Sequence, residues 1–180
     1  RQETYIQKGD VYVSDDGFTS RKIERLEGEE YRYKYTNERQ EQFFFDDIGR
    51  CIKKLTGEGR AIQFEYNELK LKKLSTEFGT GYVFDYEESD DGNSYVTKVA
   101  DLSGRSIELK YEDIDDKFSR TGKMHVLTEI HDEMGSVYSF KYNDLCKMYT
   151  VINARNTVNL INEYDGSGGL LGRYSQMAAR

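Results

Sequence analysis

The feature that most constrains this chain is an eight-residue segment that starts with glycine, ends with tyrosine and recurs five times. The segments are GEEYRYKY from Gly28, GRAIQFEY from Gly59, GTGYVFDY from Gly79, GRSIELKY from Gly104 and GSVYSFKY from Gly135. Their apolar and polar residues alternate, which is typical of a strand with one buried face. On a helix, residues i and i+2 would lie about 200° apart and could not share a face. GTGYVFDY, which alone would also suit a binding loop, is therefore predicted to be a strand.

Two further segments fit the same frame without the glycine: ERQEQFFF, which ends at Phe45, and TVNLINEY, which ends at Tyr164. We call the last aromatic residue of each segment its anchor. The anchors are Tyr35, Phe45, Tyr66, Tyr86, Tyr111, Tyr142 and Tyr164, and the opening glycines are Gly28, Gly59, Gly79, Gly104 and Gly135. Consecutive anchors are 10, 21, 20, 25, 31 and 22 residues apart. The base period of about 20 to 22 residues indicates a repeat architecture, and the short step from Tyr35 to Phe45 has no explanation in the sequence.

Each anchor is followed by a turn rich in Asp, Asn, Glu and Gly, and then by two apolar residues three positions apart. Such pairs are Ile23/Leu26, Ile52/Leu55, Leu71/Leu74, Val96/Val99, Leu127/Ile130 and Met148/Val151. A spacing of three does not fit a flat strand, so it predicts a β-bulge that shifts the facing of the side chains by one residue. The long spacings after Tyr86 and Tyr111 are attributed to inserted polar loops at 87–95 and 112–126.

The predicted unit is a strand, a turn, a bent strand and a glycine turn. Such units predict an all-β fold in which repetitive antiparallel β-hairpins form one long curved or spiralling sheet. We place about six to seven hairpin units at 28–174, a looser partial repeat at 1–27 and a truncated tail at 175–180. The chain has no proline, so its turns must depend on Gly, Asn and Asp.

Tyr and Phe side chains at one register are expected to form aromatic ladders across the strands, and each cross-strand pair contributes about 0.2–1 kcal/mol. Stability must therefore come from many units in series. The array also leaves an edge strand at each end, which neighbouring chain or a partner copy should cover.

The composition favours a sheet with one apolar and one wet face. Hydrophobic residues make up 37% of the 180 residues, and 15 of them are the half-polar tyrosine. A net charge of −7 argues against a nucleic-acid surface, which needs a basic patch. No apolar run approaches the ~18 residues of a membrane span. Cys51 and Cys146 imply no disulfide framework and are expected to be free thiols.

The stretch FDDIGRCIKKLTGEGRAIQFEYN, residues 45–67, resembles the YD repeat, also called the Rhs repeat. That family's unit is a Tyr-Asp pair, a Gly-Arg pair, an apolar stretch, an Asp-x-x-Gly turn and an aromatic strand. Matches to it are Phe45-Asp46 with Gly49-Arg50, Tyr164-Asp165 with its following glycines, and the turns at 101–104 and 132–135. Tyr66, Tyr111 and Tyr142 depart from the pattern, because Asn, Glu and Asn follow them. The resemblance covers roughly Asp15 to Arg173.

Proteins with this repeat include bacterial Rhs polymorphic toxins, wall-associated proteins, the C component of insecticidal toxin complexes and animal teneurins. In that family the hairpins form one sheet that winds into a hollow shell, which in the toxins encloses a C-terminal effector. The resemblance therefore implies a structural or encapsulating module that is secreted or at the cell envelope. Its partners would be the remainder of its own shell and an enclosed C-terminal effector.

Three groups of residues also suit ligand binding, and the repeat explains each of them more simply. His125 and His131 lie near acidic residues but match no common ligand spacing. The acids at 87–93 and at 113–116 lack the spacing of an EF-hand. The glycine-rich stretch 165–173 lacks the Lys-Ser/Thr ending of a phosphate loop. No Ser/His/Asp or Cys/His arrangement stands out. We therefore predict no catalytic, cofactor-binding or metal-binding residue, while a glycosidase carboxylate pair stays open with no pair favoured.

Two functions remain from this reasoning. The first is a non-catalytic scaffold or encapsulating module. The second is a recognition module for glycans or a cell-surface protein, with exposed tyrosines and the inserted loops as contact points. Tyr95, Tyr149 and Tyr174 are the candidate contact residues. A polysaccharide hydrolase on a β scaffold is a distant third.

Overall fold

The computed structural model describes residues 4–15, 20–28, 30–90 and 92–175. Those residues form sixteen β-strands and no helix. The strands are β1 (Tyr5–Lys8), β2 (Val11–Ser14), β3 (Lys22–Arg25), β4 (Tyr33–Thr36), β5 (Gln42–Phe45), β6 (Cys51–Leu55), β7 (Ala61–Asn67), β8 (Lys70–Thr76), β9 (Gly81–Glu88), β10 (Ser94–Asp101), β11 (Ser106–Asp115), β12 (Lys123–Asp132), β13 (Val137–Tyr142), β14 (Met148–Ile152), β15 (Val158–Tyr164) and β16 (Leu170–Tyr174). Their order in the sheet is their order in the chain. The predicted all-β fold of adjacent antiparallel hairpins is confirmed.

The chain divides into two compact units. The first comprises residues 1–83 with 101–103, and the second comprises 84–100 with 104–180. Strands β1 to β8 and the start of β9 belong to the first unit, and the later strands belong mainly to the second. Both units are built from the same hairpin element, so the repeat runs through each of them.

Two kinds of strand pairing alternate along the chain. Where the chain turns after an anchor, the paired strands vary in length, from four residue pairs between β13 and β14 to nine between β11 and β12. Where it turns through the second loop, the ladder has three residue pairs each time. We call this three-pair ladder, with its loop, the junction. Insertions at the anchor end therefore lengthen a hairpin and leave the junction unchanged.

Strands occupy about half of the polar segments after Tyr86 and Tyr111, so the prediction that inserted loops fill 87–95 and 112–126 is wrong. β9 continues to Glu88, β10 begins at Ser94, and the 112–115 segment pairs with 123–126. The turns occupy only 89–93 and 116–122. Polar residues remain in register here because charges pair across the strands. Lys123 and Asp115, for example, lie 2.6 Å apart.

The predicted β-bulges are confirmed at Ile52/Leu55, Leu71/Leu74, Leu127/Ile130 and Met148/Val151. The one predicted at Ile23/Leu26 is wrong, because β3 pairs with β2 and β4 without a register shift. The register shifts by one residue at Tyr66, Tyr111 and Tyr142, which leaves Lys72, Thr128 and Tyr149 of the next strand without a partner in the ladder. Phe45 and Tyr164 also lie opposite such a shift. An extra residue on one strand bends that strand and increases its local twist. Most of the described bulges therefore lie beside an anchor, and one more lies in the junction of β14 and β15, between Val151 and Ile152.

One five-residue loop closes hairpins at both ends of the strands. The first residue accepts a bond from the fourth N–H and donates its own N–H to the fifth carbonyl, as in Asp132 with Gly135 and Ser136. This is a type I turn followed by a left-handed residue. The loops with both bonds among fully described residues are 37–41, 46–50, 56–60, 76–80, 132–136, 143–147, 153–157 and 165–169.

Sequence explains the loop at its first and fourth residues. The first is Asn, Asp or Thr, and its side chain accepts backbone N–H groups, as Asn143 does from Leu145 and Lys147 at 3.0 Å. The fourth is mostly glycine because its φ is positive. Of the opening glycines, Gly59, Gly79, Gly104 and Gly135 have φ of 81°, 77°, 100° and 79°. Gly28 does not share this conformation.

Little of the described chain is fully buried. The buried apolar residues are Val126 and Cys146, and the buried polar residues are Ser14, Thr36, Asp46, Thr150 and Asn162. Both cysteines are free, as expected. Half-buried residues dominate the strands, so most apolar contacts are made within the sheet. Within each unit, stability must therefore come from neighbouring strands.

We expect Gln40→Gly to stabilise the protein by about 0.5–1 kcal/mol, because Gln40 holds a φ of 60° in an exposed loop. Gly59→Ala should destabilise it by about 1 kcal/mol, although the added methyl group has open space around it. Urea unfolding measures both changes. Arg39→Gly in the same loop as Gln40 is the control and should not stabilise. Equal effects at Gln40 and Arg39 would contradict the backbone explanation.

Candidate functional site

The junctions carry the arrangement of side chains that recurs most regularly. Four anchors donate a phenolic hydroxyl to a backbone carbonyl of the preceding strand. The bonds run from Tyr66 to Cys51 (2.9 Å), Tyr111 to Val96 (2.9 Å), Tyr142 to Leu127 (2.8 Å) and Tyr164 to Met148 (2.8 Å). We call each of these bonds a tyrosine bridge. Buried carbonyl groups need a hydrogen-bond partner, and the bridges supply one at the same place in each of these four hairpins.

The acceptor of each bridge has a fixed position in the sheet. It lies two residues before the first pair of the three-pair ladder, as Leu127 lies before Glu129. It also pairs across the bulge with the preceding anchor: Cys51 with Phe45, Leu127 with Tyr111, and Met148 with Tyr142. One residue therefore contacts two successive anchors, the first through strand pairing and the second through its carbonyl. The bridges link consecutive repeats where the ladder has ended.

The predicted aromatic ladder takes a different form. Tyr111, Tyr142 and Tyr164 make no ring contact with one another in the described chain. From Phe45 onward, successive anchors lie on alternate strands, about 10 Å apart, while ring pairs need centroids within about 7 Å. The anchors are therefore joined through the carbonyl of the intervening strand. Direct ring contacts do occur elsewhere, between Tyr31 and Phe44 (5.2 Å) and between Tyr35 and Phe43 (5.9 Å).

A second link between neighbouring hairpins involves the motif Asp46-x-x-Gly49-Arg50. The Asp46 carboxylate accepts the Arg50 backbone N–H at 2.8 Å and its Nε at 2.7 Å. The Arg50 guanidinium lies 5.3 Å from the centre of the Tyr66 ring and donates to the Glu68 carbonyl in the next hairpin. This motif therefore closes one loop and also fixes the neighbouring anchor.

Asp46 is ionised through these bonds. Burial of the carboxylate raises its pKa, but the bonds from Arg50 and from the Ile48 N–H outweigh burial, so the pKa of Asp46 lies below its ordinary value. The same loop position has a lowered pKa at Asp132 and Asp165. At Asp132 the Ser136 N–H is the main cause, and at Asp165 the Ser167 hydroxyl is the main cause.

His125 lies in an aromatic cluster in the second unit. Its ring stacks on Tyr111 at 5.3 Å and contacts Tyr95 at 4.6 Å, and its Nδ1 lies 2.7 Å from an Asp113 oxygen. Its Nε2 is buried and lies 3.7 Å from Glu87. Burial raises the pKa of Tyr111, as do the nearby Glu87 and Tyr95. His131 instead pairs with Glu129 at 2.6 Å. The structure therefore places the two histidines in separate carboxylate pairs.

The acids considered for calcium are occupied by other contacts. Asp115 pairs with Lys123, Asp113 with His125, and Asp116 accepts the Phe118 N–H. Asp91, within the 87–93 stretch, lies outside the described residues. No group of three His, Cys, Asp or Glu side chains in the described ranges could hold a metal ion. The 165–169 part of the glycine-rich stretch is one of the five-residue loops.

The three candidate contact tyrosines differ in exposure. Tyr149 is the bulge residue of β14 and is 37% exposed, and Tyr174 on β16 is 53% exposed. Tyr95 is half-buried against Tyr111 and His125. Only Tyr149 and Tyr174 therefore present much of the ring to solvent. The described residues contain no helix, and therefore no helix that is long and apolar enough to cross a membrane.

Sequence reasoning missed the acceptors of the bridges. Cys51, Val96, Leu127 and Met148 were seen only as apolar strand positions or as a free thiol. Their signal was a constant distance, because each lies 15 or 16 residues before the tyrosine that it contacts. Every residue type has a main-chain carbonyl, so the identity of the residue does not indicate an acceptor. Only the spacing could have revealed it.

We expect Tyr142→Phe to lower the free energy of unfolding by about 0.5–1.5 kcal/mol, because it removes the hydroxyl bridge and keeps the ring. Tyr142→Ala should cost about 3–5 kcal/mol, because the half-buried ring is lost too. Denaturant unfolding measures both. Tyr138→Phe is the matched control, since Tyr138 is 42% exposed and lies on the same strand. Identical losses for Tyr138→Phe and Tyr142→Phe would contradict a special role for the bridge.

The lowered pKa of Asp46 predicts a pH-dependent contribution to stability. The carboxylate stabilises the fold fully above its unfolded pKa of about 4 and loses that effect as pH falls through the lower folded pKa. Asp46→Asn keeps an acceptor oxygen but loses the charge, so it should be less stable than wild type at pH 7 and approach it near pH 2. Urea unfolding at both pH values measures this. Arg50→Gln, which removes the other partner, should converge in the same way. A gap that stays constant with pH would contradict the ion pair.

Comparison with known proteins does not assign the chain to a family. No family model matches it, and no curated protein matches it.

Proposed function

We propose that the chain is a non-catalytic scaffold, a segment of a YD-repeat (Rhs-type) sheet that forms part of an encapsulating structure in a secreted or cell-envelope protein. The observation that carries this proposal is the tyrosine bridge, which recurs at fixed register and joins the strands of Tyr66, Tyr111, Tyr142 and Tyr164 to the preceding hairpin. The recurring geometry lies between the repeats. It serves continuity of the sheet.

The energetics of the strands support the same proposal. A repeat that buries few residues completely cannot be stable alone, so each unit must depend on its neighbours. The Asp46–Arg50 pair adds to this coupling, because Arg50 contacts the next hairpin at Tyr66 and Glu68. Most of the acids and histidines described above are engaged in loop bonds or cross-strand pairs. These interactions stabilise an extended array.

Limited proteolysis tests the encapsulating role in the complete natural protein that carries this segment. We expect a C-terminal segment of that protein to resist protease in the wild type and to be cleaved in the Tyr142→Ala variant, because the loss of one bridge and its ring opens the sheet. Tyr138→Ala, on the exposed part of the same strand, should leave the protection intact. Cleavage of every segment of the wild type at one rate would reject encapsulation.

Glycan or surface-protein recognition is the second candidate function. It is favoured by the exposed rings of Tyr149 and Tyr174, because flat aromatic faces can stack on sugars. Tyr95 is a weaker candidate for contact, since its ring packs on Tyr111 and His125. The recognition function would coexist with a scaffold, since neither exposed ring takes part in a bridge.

A glycan array tests recognition directly. We expect the wild-type chain to retain a defined subset of glycans and the Tyr149→Ala/Tyr174→Ala double variant to lose at least tenfold in affinity, which corresponds to about 1.4 kcal/mol. Tyr82→Ala is a suitable control, because Tyr82 is a tyrosine of similar exposure (50%) on another strand. A blank array, or equal losses for the control, would reject this function.

A further inference from the structure

His125 joins two neighbouring hairpins of the second compact unit, β9–β10 and β11–β12, at a point beyond their ladder. The ladder between β10 and β11 ends at the pair Lys98 and Glu108. Farther toward the hairpin tips, the His125 ring on β12 lies against Tyr111 on β11 and Tyr95 on β10. Its two ring nitrogens face one carboxylate from each hairpin. The His125 side chain therefore connects the two hairpins where the described ladder has ended.

The two ring nitrogens of His125 have different surroundings. Nδ1 lies 2.7 Å from an Asp113 oxygen on β11, which is hydrogen-bond distance. Nε2 lies 3.7 Å from a Glu87 oxygen on β9, and it is buried with no hydrogen-bond partner among the described residues. The His125 side chain is 14% exposed, while those of Glu87 and Asp113 are 50% and 49% exposed. The imidazole is therefore enclosed between two carboxylates that both keep contact with water.

Only the protonated ring suits both carboxylates. A neutral imidazole carries one N–H and one lone pair, whereas an imidazolium donates from both nitrogens. With the proton on Nδ1, the neutral ring would direct the Nε2 lone pair toward Glu87. With the proton on Nε2, it would direct the Nδ1 lone pair at the Asp113 oxygen 2.7 Å away. Each neutral tautomer of His125 therefore sets a lone pair against a carboxylate.

The groups around the ring also favour the imidazolium. Burial of a cation costs free energy, and opposite charges within about 4–6 Å offset that cost. The Tyr111 ring is nearly parallel to the imidazole, at 11° and 5.3 Å, and an aromatic face attracts a cation within about 6 Å. Lys123, a cation near the ring, is paired with Asp115 at 2.6 Å. The titratable and charged groups around His125 are Glu87 from β9, Asp90 from the turn after β9, Tyr95 from β10, Tyr111 and Asp113 from β11, and Lys123 from β12 itself.

A cleft of about 220 Å³ lies between the two hairpin tips, on the outer side of the His125 contact. The bridge from Tyr111 to Val96 joins the same two hairpins through a 2.9 Å hydrogen bond. This bridge remains when the His125 contact breaks, so separation of the hairpins is confined to their tips. Such a separation widens the cleft and exposes Nε2 of His125. The cleft is lined by Ser89, Asp90, Asp113, Thr121, Lys123 and His125.

We infer that His125 is a proton-dependent clasp between the two hairpin tips of the second compact unit. The imidazolium holds the β9–β10 hairpin through Glu87 and the β11–β12 hairpin through Asp113, and loss of its proton lets the tips separate and opens the cleft. An imidazole ordinarily changes charge between about pH 5 and 8, so the clasp is closed at the acidic end of this range and opens as pH rises. The clasp acts within one compact unit and does not rest on the proposed scaffold function.

Amide hydrogen exchange of the full chain near pH 5.5 and near pH 8 tests the clasp. Rates are expressed as protection factors, so that the intrinsic pH dependence of exchange is removed. We expect protection at 111–115 and 123–126 to fall about 10-fold from the lower to the higher pH, because an interaction with a charged group is lost and the tips open locally. Protection at β14 and β15, which lie away from the cleft, should change less than about 2-fold.

Two histidine variants assign the effect. His125→Phe keeps an aromatic ring but binds no proton, so its tips should have the low protection at both pH values. His131→Phe is the matched control, because His131 is the other histidine of the chain and pairs with Glu129 on its own strand. That pair joins no two hairpins, so His131→Phe should keep the wild-type fall in protection.

Glu87→Gln separates the proton-dependent clasp from a general loosening of the hairpins. A glutamine amide can donate to the Nε2 lone pair of neutral His125 and can also accept from the imidazolium, so the tips should stay protected at both pH values. Glu87→Ala offers neither bond, so its tips should be poorly protected at both. Glu87 is half exposed, so these two variants test the inference even where His125→Phe does not fold.

Four outcomes would each overturn the inference. They are wild-type protection at the tips that does not change with pH, a wild-type fall that persists in His125→Phe, a fall that disappears in His131→Phe, and low protection of Glu87→Gln at both pH values. The stability of the tyrosine bridges is measured separately with Tyr142→Phe. Failure of the clasp and failure of the scaffold proposal can therefore be told apart.

Discussion

The rest of the structure depends on the hydrogen bond that the anchors Tyr66, Tyr111, Tyr142 and Tyr164 donate to a carbonyl of the preceding strand. A bulge beside each of these four anchors interrupts regular pairing, and the ladder between neighbouring hairpins contains only three residue pairs, as between β12 and β13. The bridge from Tyr142 to Leu127 adds a contact just beyond that ladder. A tyrosine suits this position because its ring packs within the sheet while its hydroxyl reaches a carbonyl. Phenylalanine, as at Phe45, can supply only the first of these contacts.

The loops make this coupling repeatable. A type I turn with a left-handed fourth residue fixes the register of the strands that it joins. Asp46, Asp132 and Asn143 close their loops by accepting backbone N–H groups, and Asp46 also holds Arg50 against the next anchor. Because turn chemistry and bridge are both local, a hairpin can lengthen at its tip without disturbing the junction. The nine-pair hairpin of β11 and β12 is such a case.

This arrangement favours function through continuity of the sheet. Within each compact unit, side chains gain most of their burial from adjacent strands. The proposed scaffold role rests on one structural rule, the coupling of each strand to its neighbours. The surface rings of Tyr149 and Tyr174 lie outside that rule and are free to serve recognition.

The sequence by itself determined the strands, the bulges and the turns. Alternating residues such as Ile107, Leu109 and Tyr111 specify strand faces, and Asx residues with glycine specify the loops, because these preferences act over a few residues. Tertiary structure alone decided where the long hairpin tips turn, that anchors meet carbonyls instead of rings, and that His125 packs between Tyr95 and Tyr111. Those outcomes depend on strand spacing and on main-chain atoms that every residue type carries, so residue identity could not reveal them.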